Sequence, residues 1–357
     1  MAGQMQMTVA ELVQHPEYRH TIWPLKPTQS GKIAVAKNRR GPINIAYEVH
    51  GHGNRRLVWI MGLGGMKYGW QRQTKDFAHN KGSEYSSLVF DNRGIGESDK
   101  PLMRYTTSEM AKDTLELIDA IGWTGKRELH ILGISMGGMI AQELAMLIPE
   151  RICTLSLVST ASGLFNTIGF IENLRNRANL FIPKPLDVQI SNVKANLYTT
   201  PWLSAPDELA SESTVSPFPT NGDRFGANEV WKRSSPEYFT KKGFMLQAIA
   251  AGWHYKSPSD LKRLGEMVGR KRIMVVHGTE DRMITFPHGV VLWRGLEKGE
   301  GRTGKEGWGK EEEADVWEVG EVEKHFVRGQ GHVLPIEMRR EFGEWVEGLV
   351  ERGIGLN

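Results

Sequence analysis

The feature that most constrains the fold is the stretch Gly133-Ile134-Ser135-Met136-Gly137. It follows the apolar run Leu129-His130-Ile131-Leu132 and leads into a helix-like segment, Met136 to Ile148. A serine flanked by glycines two residues away on each side, between strand and helix, specifies a sharp turn. The glycines let neighbouring backbone approach where a Cβ would collide. The turn pushes the serine hydroxyl outward. The helix starting at Met136 directs unpaired N–H groups at that oxygen, where negative charge is favoured. The bland alternative is an ordinary strand–helix turn that contains a serine. A chain with 40 glycines can produce the bare pattern by chance. The surrounding elements and the downstream residues must therefore carry the reading.

Those elements alternate. Strand-like runs cover Lys32–Ala36, Ile43–His50, Leu57–Met61 and Ser87–Phe90. A helix is expected over Thr107 to Ile121, with a capping hydroxyl at its start and Leu115, Leu117, Ile118 and Ile121 as its apolar face. Strand Glu128–Leu132, helix Met136–Ile148 and strand Ile152–Val158 follow. Hairpin-like strands first, then βαβ alternation, predict an α/β fold: a mostly parallel sheet covered by helices on both faces. The next buried strand is Arg272–His277. Residues 161–270 between are far too long for a connection, which is typically about 4–6 residues. Helical patterns near Ile168, Ile171, Leu174 and Ala178, and through Phe244, Gln247, Ala248, Ala251 and Tyr255, suggest an inserted helical cap. The expected organisation is a leader over 1–30 packed loosely on the body, a core of 31–160 and 271–357, and a cap of 161–270. The glycine-rich, charged stretch Gly299 to Ala314 reads as a solvated loop.

Charge and cysteine content exclude some classes. Lys+Arg is 45 and Asp+Glu is 42, a net charge of +3, too balanced to imply a nucleic-acid partner. The one cysteine, Cys153, allows no intrachain disulfide, and its apolar setting reads as a buried strand position. Met1 to Gln14 lacks a basic region followed by an apolar core, so no secretory signal is read. No apolar run approaches the ~20 residues of a membrane span. The expectation is a cytoplasmic protein.

A serine hydroxyl is a poor nucleophile at neutral pH and needs a base, which itself needs an orienting group. In this layout these follow as Ser, then acid, then His, at the ends of strands. The acid candidate is Asp281, in His277-Gly278-Thr279-Glu280-Asp281, with Glu280 as its competitor. The segment after the preceding strand, Ser159 to Gly163, holds no carboxylate. The base candidate is His332, in Gly329-Gln330-Gly331-His332, just past the last strand-like run. His277 lies too close to its strand and reads as a packing or hydrogen-bonding residue. His288 reads as surface or helix start, and His325 alternates within a strand. Backbone N–H groups of Met136 and Leu63 are the candidate oxyanion donors, Leu63 standing in Gly62-Leu63-Gly64-Gly65. That loop also begins like a dinucleotide fingerprint, but position 67, where the third glycine belongs, is Lys67.

Taken together, Gly62–Gly65, Asp91-Asn92-Arg93-Gly94-Ile95-Gly96-Glu97-Ser98-Asp99, the turn at Ser135, Gly278–Asp281 and Gly331-His332 make the chain resemble the α/β-hydrolase superfamily, in its cap-bearing serine-hydrolase branch. The resemblance spans roughly residues 40–350. It implies an α/β-hydrolase fold, with a mostly parallel, eight-stranded type of sheet flanked by helices and an inserted helical cap, and a structural role for Asp91 to Ser98. One departure stands out. Many relatives have His-Gly before the oxyanion residue, whereas this chain has Met61-Gly62, and a Met side chain supplies no ring hydrogen bond to brace the loop. Relatives that open epoxides or remove halides carry Asp at the turn, which Ser135 excludes. The expected activity is hydrolysis of a carboxylic ester or lactone, a small-molecule acyl substrate, with no metal or organic cofactor. Alternatives on the same residues are a carbon–carbon hydrolase, a thioesterase, an acyltransferase or a receptor-like binding protein. Trp202, Phe218, Trp231, Phe244 and Trp253 are candidate substrate-wall residues, each with packing inside the cap as the competing role.

Overall fold

The computed structural model describes residues 6–165, 184–301 and 320–357. The helix expected around Ile168 to Ala178 and most of the loop expected over Gly299 to Ala314 lie outside the described residues.

Among the described residues, eight strands form one sheet: β1 Gln29–Val35, β2 Ile43–Gly51, β3 Arg55–Ile60, β4 Tyr85–Phe90, β5 Leu129–Ile134, β6 Ile152–Val158, β7 Ile273–Gly278 and β8 Glu323–Val327, in the spatial order β1-β2-β4-β3-β5-β6-β7-β8. The β1–β2 and β2–β4 pairings are antiparallel and the rest are parallel. The central strands are buried along their whole length, which is why they read as continuous apolar runs rather than alternating ones.

The main helices are α1 Val9–Gln14, α2 Thr107–Ala120, α3 Met136–Leu147, α4 Leu186–Leu197, α5 Asn221–Ser234, α6 Lys241–Gly252, α7 Pro258–Val268, α8 Phe286–Lys298 and α9 Arg339–Gly355. The cap of α2 is Thr106, whose side chain accepts from the N–H of Glu109. Both faces of the sheet are covered. Met110, Leu117 and Ile118 of α2, Ile140 and Leu144 of α3, and Leu292 and Leu296 of α8 join one core with Val58, Ile131 and Leu155. Phe342, Val346 and Leu349 of α9 close the other over Leu57, Leu132 and Met274. Each such fully buried side chain contributes about 1.5–3 kcal/mol. Cys153 lies fully buried in β6.

Helices α4 to α7 stand between β6 and β7. Of these, α7 buries Leu261, Leu264 and Val268 in the main core. The N-terminal segment is fastened more firmly than its sequence suggests. Leu12 packs with Ile190, Phe218, Ala227 and Val230. The buried Glu17 accepts from the N–H groups of Thr214 at 3.0 Å and Val215 at 2.9 Å. Two remote segments are thus joined through one carboxylate, which no local pattern reveals. No helix among the described residues is long and apolar enough to cross a membrane.

The strand order reverses around β3: the chain passes from β3 out to β4, then crosses back to β5. Ile60 at the end of β3 pairs with Gly133 of β5, and Gly278 at the end of β7 pairs with Val327 at the end of β8. The loops after β3, β5, β7 and β8 therefore leave the same edge of the sheet. This is where open α/β sheets place a ligand.

Candidate active site

Ser135 is the residue between β5 and α3, with φ 57° and ψ −124°, a sparsely populated conformation. Such strain costs about 1–3 kcal/mol and persists only when the surroundings impose it. Here the Ser135 N–H donates to Val158 O at 2.9 Å, while its carbonyl accepts from Thr160 Oγ1 at 2.7 Å and Gly138 N at 3.0 Å. The crossing is so tight that a Cβ on Gly133 would lie 2.3 Å from Gly137 O, and one on Gly137 would lie 2.1 Å from Ile60 O. The flanking glycines thus fix the turn by allowing α3 to start against the end of β3.

Asp281 follows β7 and is buried. Its Oδ1 accepts from the N–H groups of Met283 at 2.8 Å and Ile284 at 2.9 Å, and its Oδ2 lies 2.7 Å from His332 Nδ1. Burial opposes the charge on this carboxyl. The charge of His332, hydrogen bonds from His277 and His332, and the charge of His277 outweigh it and hold the carboxyl well below its usual range. A carboxylate facing Nδ1 selects the tautomer with the proton on Nδ1, leaving Nε2 as an acceptor. Glu280, the competing acid, is exposed. His277 Nε2 lies 2.7 Å from Ile284 O and 3.4 Å from Asp281 Oδ2, so His277 supports the carboxylate as a hydrogen-bonding residue.

The loop carrying His332 is tied to the β6–β7 segment. The His332 N–H donates to Leu197 O at 2.9 Å. Glu337 accepts from Gly331 N at 2.7 Å with one carboxylate oxygen and from Thr199 N at 2.8 Å with the other. Burial, helped by the nearby Asp281 charge, pushes the Glu337 carboxyl up from its ordinary value.

The loop after β3 lies against Ser135: a Cβ on Gly62 would be 2.9 Å from Ser135 Cβ and 3.5 Å from its Oγ. Among the described residues, the N–H of Leu63 is engaged by no backbone carbonyl, and that of Met136, the first residue of α3, by none outside its helix. Asn92 Nδ2 donates to Met61 O at 3.1 Å. Met61 packs its methyl group against Gly65 and Gly69. The segment from Asp91 to Asp99 is tied down by its own side chains. The Asp91 carboxylate accepts from Lys67 N at 2.7 Å and Glu97 N at 2.9 Å. The buried Arg93 pairs with Asp113 at 2.5 and 2.6 Å. Among the described residues, no hydrogen bond joins Ser135 Oγ to His332. Contacts of that kind commonly tighten when substrate is bound.

The five candidate wall residues divide. Phe244 of α6 lies against the loop after β3, its ring 2.9 Å from where a Cβ on Gly64 would be. Phe218 does not reach the site: it is 2 % exposed, stacks on His15 and belongs to the separate cluster with Leu12. Trp253 is 76 % exposed at the C-cap of α6 and faces solvent. Trp202 stacks on Tyr198. Trp231 lines a different cavity of about 230 Å³ with Trp23, Tyr68 and Tyr238, to which none of Ser135, Asp281 and His332 contributes. Residue type alone does not set the direction in which a helical side chain points.

Sequence reasoning also passed over residues that hold the site, namely Thr160, Glu337 and Gln247. The Gln247 amide accepts from Gly64 N at 2.9 Å and donates to Arg93 O at 2.9 Å. Its signal was an amide on the otherwise apolar face of a helix.

A mostly parallel sheet with a serine on a strained strand–helix turn, and a buried Asp–His pair at the same edge, defines the class of α/β hydrolases. The chain belongs to the alpha/beta hydrolase fold family, whose model matches residues 55–302. It is 27% identical over 165 residues to the protein named "Putative carbamate hydrolase RutD" of Azorhizobium caulinodans, covering 46% of this chain and 58% of that one. It is 36% identical over 123 residues to "Putative non-heme bromoperoxidase BpoC" of Mycobacterium tuberculosis, covering 34% of this chain and 44% of that one. The matched stretch spans about half the length of these curated relatives. Among solved structures, a thermophilic esterase from Thermogutta terrifontis has a TM-score of 0.65 at 18% identity, covering 91% of this chain and 99% of that one. That likeness is one of fold.

Proposed function

We propose that the protein is a serine hydrolase that cleaves a carboxylic ester or lactone through an acyl-enzyme on Ser135. His332 Nε2 takes the Ser135 proton as Oγ attacks the carbonyl carbon. Asp281 keeps the Nδ1 proton in place and stabilises the imidazolium that forms. The N–H groups of Leu63 and Met136 hold the oxyanion. His332 then returns the proton to the leaving alcohol, and water activated by the same nitrogen releases the acid. Helices α4 to α6 act as a cap over this edge, with Phe244 as the wall residue beside the oxyanion loop.

The observation that carries this reading is the Asp281–His332 contact of 2.7 Å at the sheet edge where Ser135 is held at φ 57°. A buried carboxylate with its charge stabilised, oriented on a histidine, is the arrangement that general-base catalysis requires. Relatives bearing different activities in their names share the fold, so the reading rests on the residues and not on those names. The experiment is turnover of a panel of aryl esters and lactones by the wild-type chain and by Ser135→Ala. Activity that disappears in the variant is expected. A Ser135→Ala protein with full activity contradicts the proposal.

A further inference from the structure

The loop that carries Leu63 has no strand or helix of its own, yet an oxyanion donor must be fixed to within about 0.5 Å to be useful. Met61 offers no hydrogen bond from its side chain, so the bracing must come from elsewhere. We propose that Gln247, on α6, is the positioning residue that holds the oxyanion loop, making the cap a working part of the oxyanion hole. The proposal rests on the functional reading above, since it assigns Leu63 the same role.

The loop is pinned on both sides of Leu63. On one side, Asn92 Nδ2 holds Met61 O at 3.1 Å. On the other, Gln247 Oε1 holds Gly64 N at 2.9 Å. Gln247 is fully buried, so water does not compete for its amide. The orientation of that amide is forced by its partners. Gly64 offers only a donor and Arg93 only a carbonyl, so a flipped amide would set N–H against N–H and oxygen against oxygen.

The anchor behind Gln247 is itself held by buried polar partners. Its Nε2 donates to Arg93 O at 2.9 Å, and the Arg93 side chain is itself paired with the buried Asp113. α6 is seated on the same turn. A Cβ on Gly243 would lie 2.0 Å from Gly94 O, and Gly96 N donates to Tyr238 O at 2.8 Å just before α6. A chain of contacts thus runs from Asp113 through Arg93 and Gln247 to Gly64. Substrate entry must leave the first half of α6, through Gln247, in place, because lifting it would release the loop that carries Leu63.

The test uses the full chain. Hydrogen exchange of the Gly64 amide is measured in the wild-type protein and in Gln247→Met, which keeps the length of the side chain without its polar atoms. Steady-state kinetics on an aryl ester and the affinity of a trifluoromethyl ketone, which mimics the tetrahedral intermediate, are measured on the same proteins. The wild-type Gly64 amide is expected to be protected despite its loop location, and the variant to lose that protection. In Gln247→Met, kcat should fall about 10- to 100-fold with KM within about threefold, and ketone affinity should fall by the same factor as kcat/KM. Gln247→Asn, too short to span both partners, should fall with it. A Gly64 amide that exchanges like an open loop in the wild-type protein overturns the proposal. So does a folded Gln247→Met with kcat within twofold, or one whose KM rises while kcat holds. Should Gln247→Met fail to fold, the wild-type exchange and Gln247→Asn decide. A wild-type chain with a protected Gly64 amide and no ester turnover leaves the brace standing and removes the functional reading instead.

Discussion

Replacing Asp281 by Asn removes one charge and changes almost nothing in shape. Asn must choose which end faces His332. Its oxygen can stay on the N–H groups of Met283 and Ile284, now at 2.8 and 2.9 Å, with its NH2 turned to His332. The reverse placement leaves both backbone donors buried and unpaired, at about 1–3 kcal/mol each. On the other side stand one hydrogen bond to His332 and the longer 3.4 Å contact with His277, whose Nε2 keeps its 2.7 Å bond to Ile284 O. Together they contribute less than that sum, so the NH2 faces the imidazole. A donor there requires Nδ1 to be an acceptor, which moves the ring proton to Nε2, the atom that must accept from Ser135. The imidazolium also loses its counter-charge. Loss of the correct tautomer in such a relay costs ~10⁴-fold in kcat, which corresponds to about 5 kcal/mol in the barrier. The assay is kcat and KM for an aryl ester, with circular dichroism to confirm folding. The loss should fall on kcat while KM stays nearly unchanged. An Asp281→Asn protein that is folded and within tenfold of wild-type kcat refutes the reasoning.

Gly137→Ala places a methyl 2.1 Å from Ile60 O, a backbone atom that has no room to retreat. It should lower stability by about 1–3 kcal/mol and lower turnover. An unchanged melting temperature would show that the turn is looser than described. His130 is buried in β5 with Nδ1 2.9 Å from Thr154 Oγ1, and burial, with the charges of Arg55 and Arg272, holds it down from 6.5 to about 3. The native state therefore stays neutral where the unfolded chain takes up a proton, so stability falls as pH drops below 6.5. By about pH 5 the loss from this one group is about 2 kcal/mol. Urea unfolding at pH 7 and pH 5 should show a smaller drop for His130→Gln than for the wild-type chain, and equal drops would refute the assignment.

The parts of this molecule that are local in sequence were the legible ones. β5, the turn at Ser135 and α3 announce themselves as an apolar run, a glycine-flanked serine and a helical pattern. Chain order and strand ends then single out Asp281 and His332, because a parallel sheet brings its carboxyl ends to one edge. What stayed hidden depends on contacts between distant segments. Glu17 binds the N–H groups of Thr214 and Val215 across about 200 residues, so the N-terminal segment reads as loose when it is fastened there. Phe218 and Trp253 have the composition of pocket walls, but one packs against Leu12 and the other faces water. The missing loop brace at Met61 is made good by Gln247, whose helix is visible as a periodic pattern but whose partners, Gly64 and Arg93, lie more than 150 residues away.

The most direct measurement is the site of covalent attachment of a fluorophosphonate, a reagent that captures a serine activated by a neighbouring base. Mass spectrometry of the digested protein should find one adduct, on the peptide containing Ser135, formed far more slowly in His332→Ala and absent in Ser135→Ala. An adduct on another residue, or an unmodified Ser135 in folded wild-type protein, would contradict its role as the nucleophile.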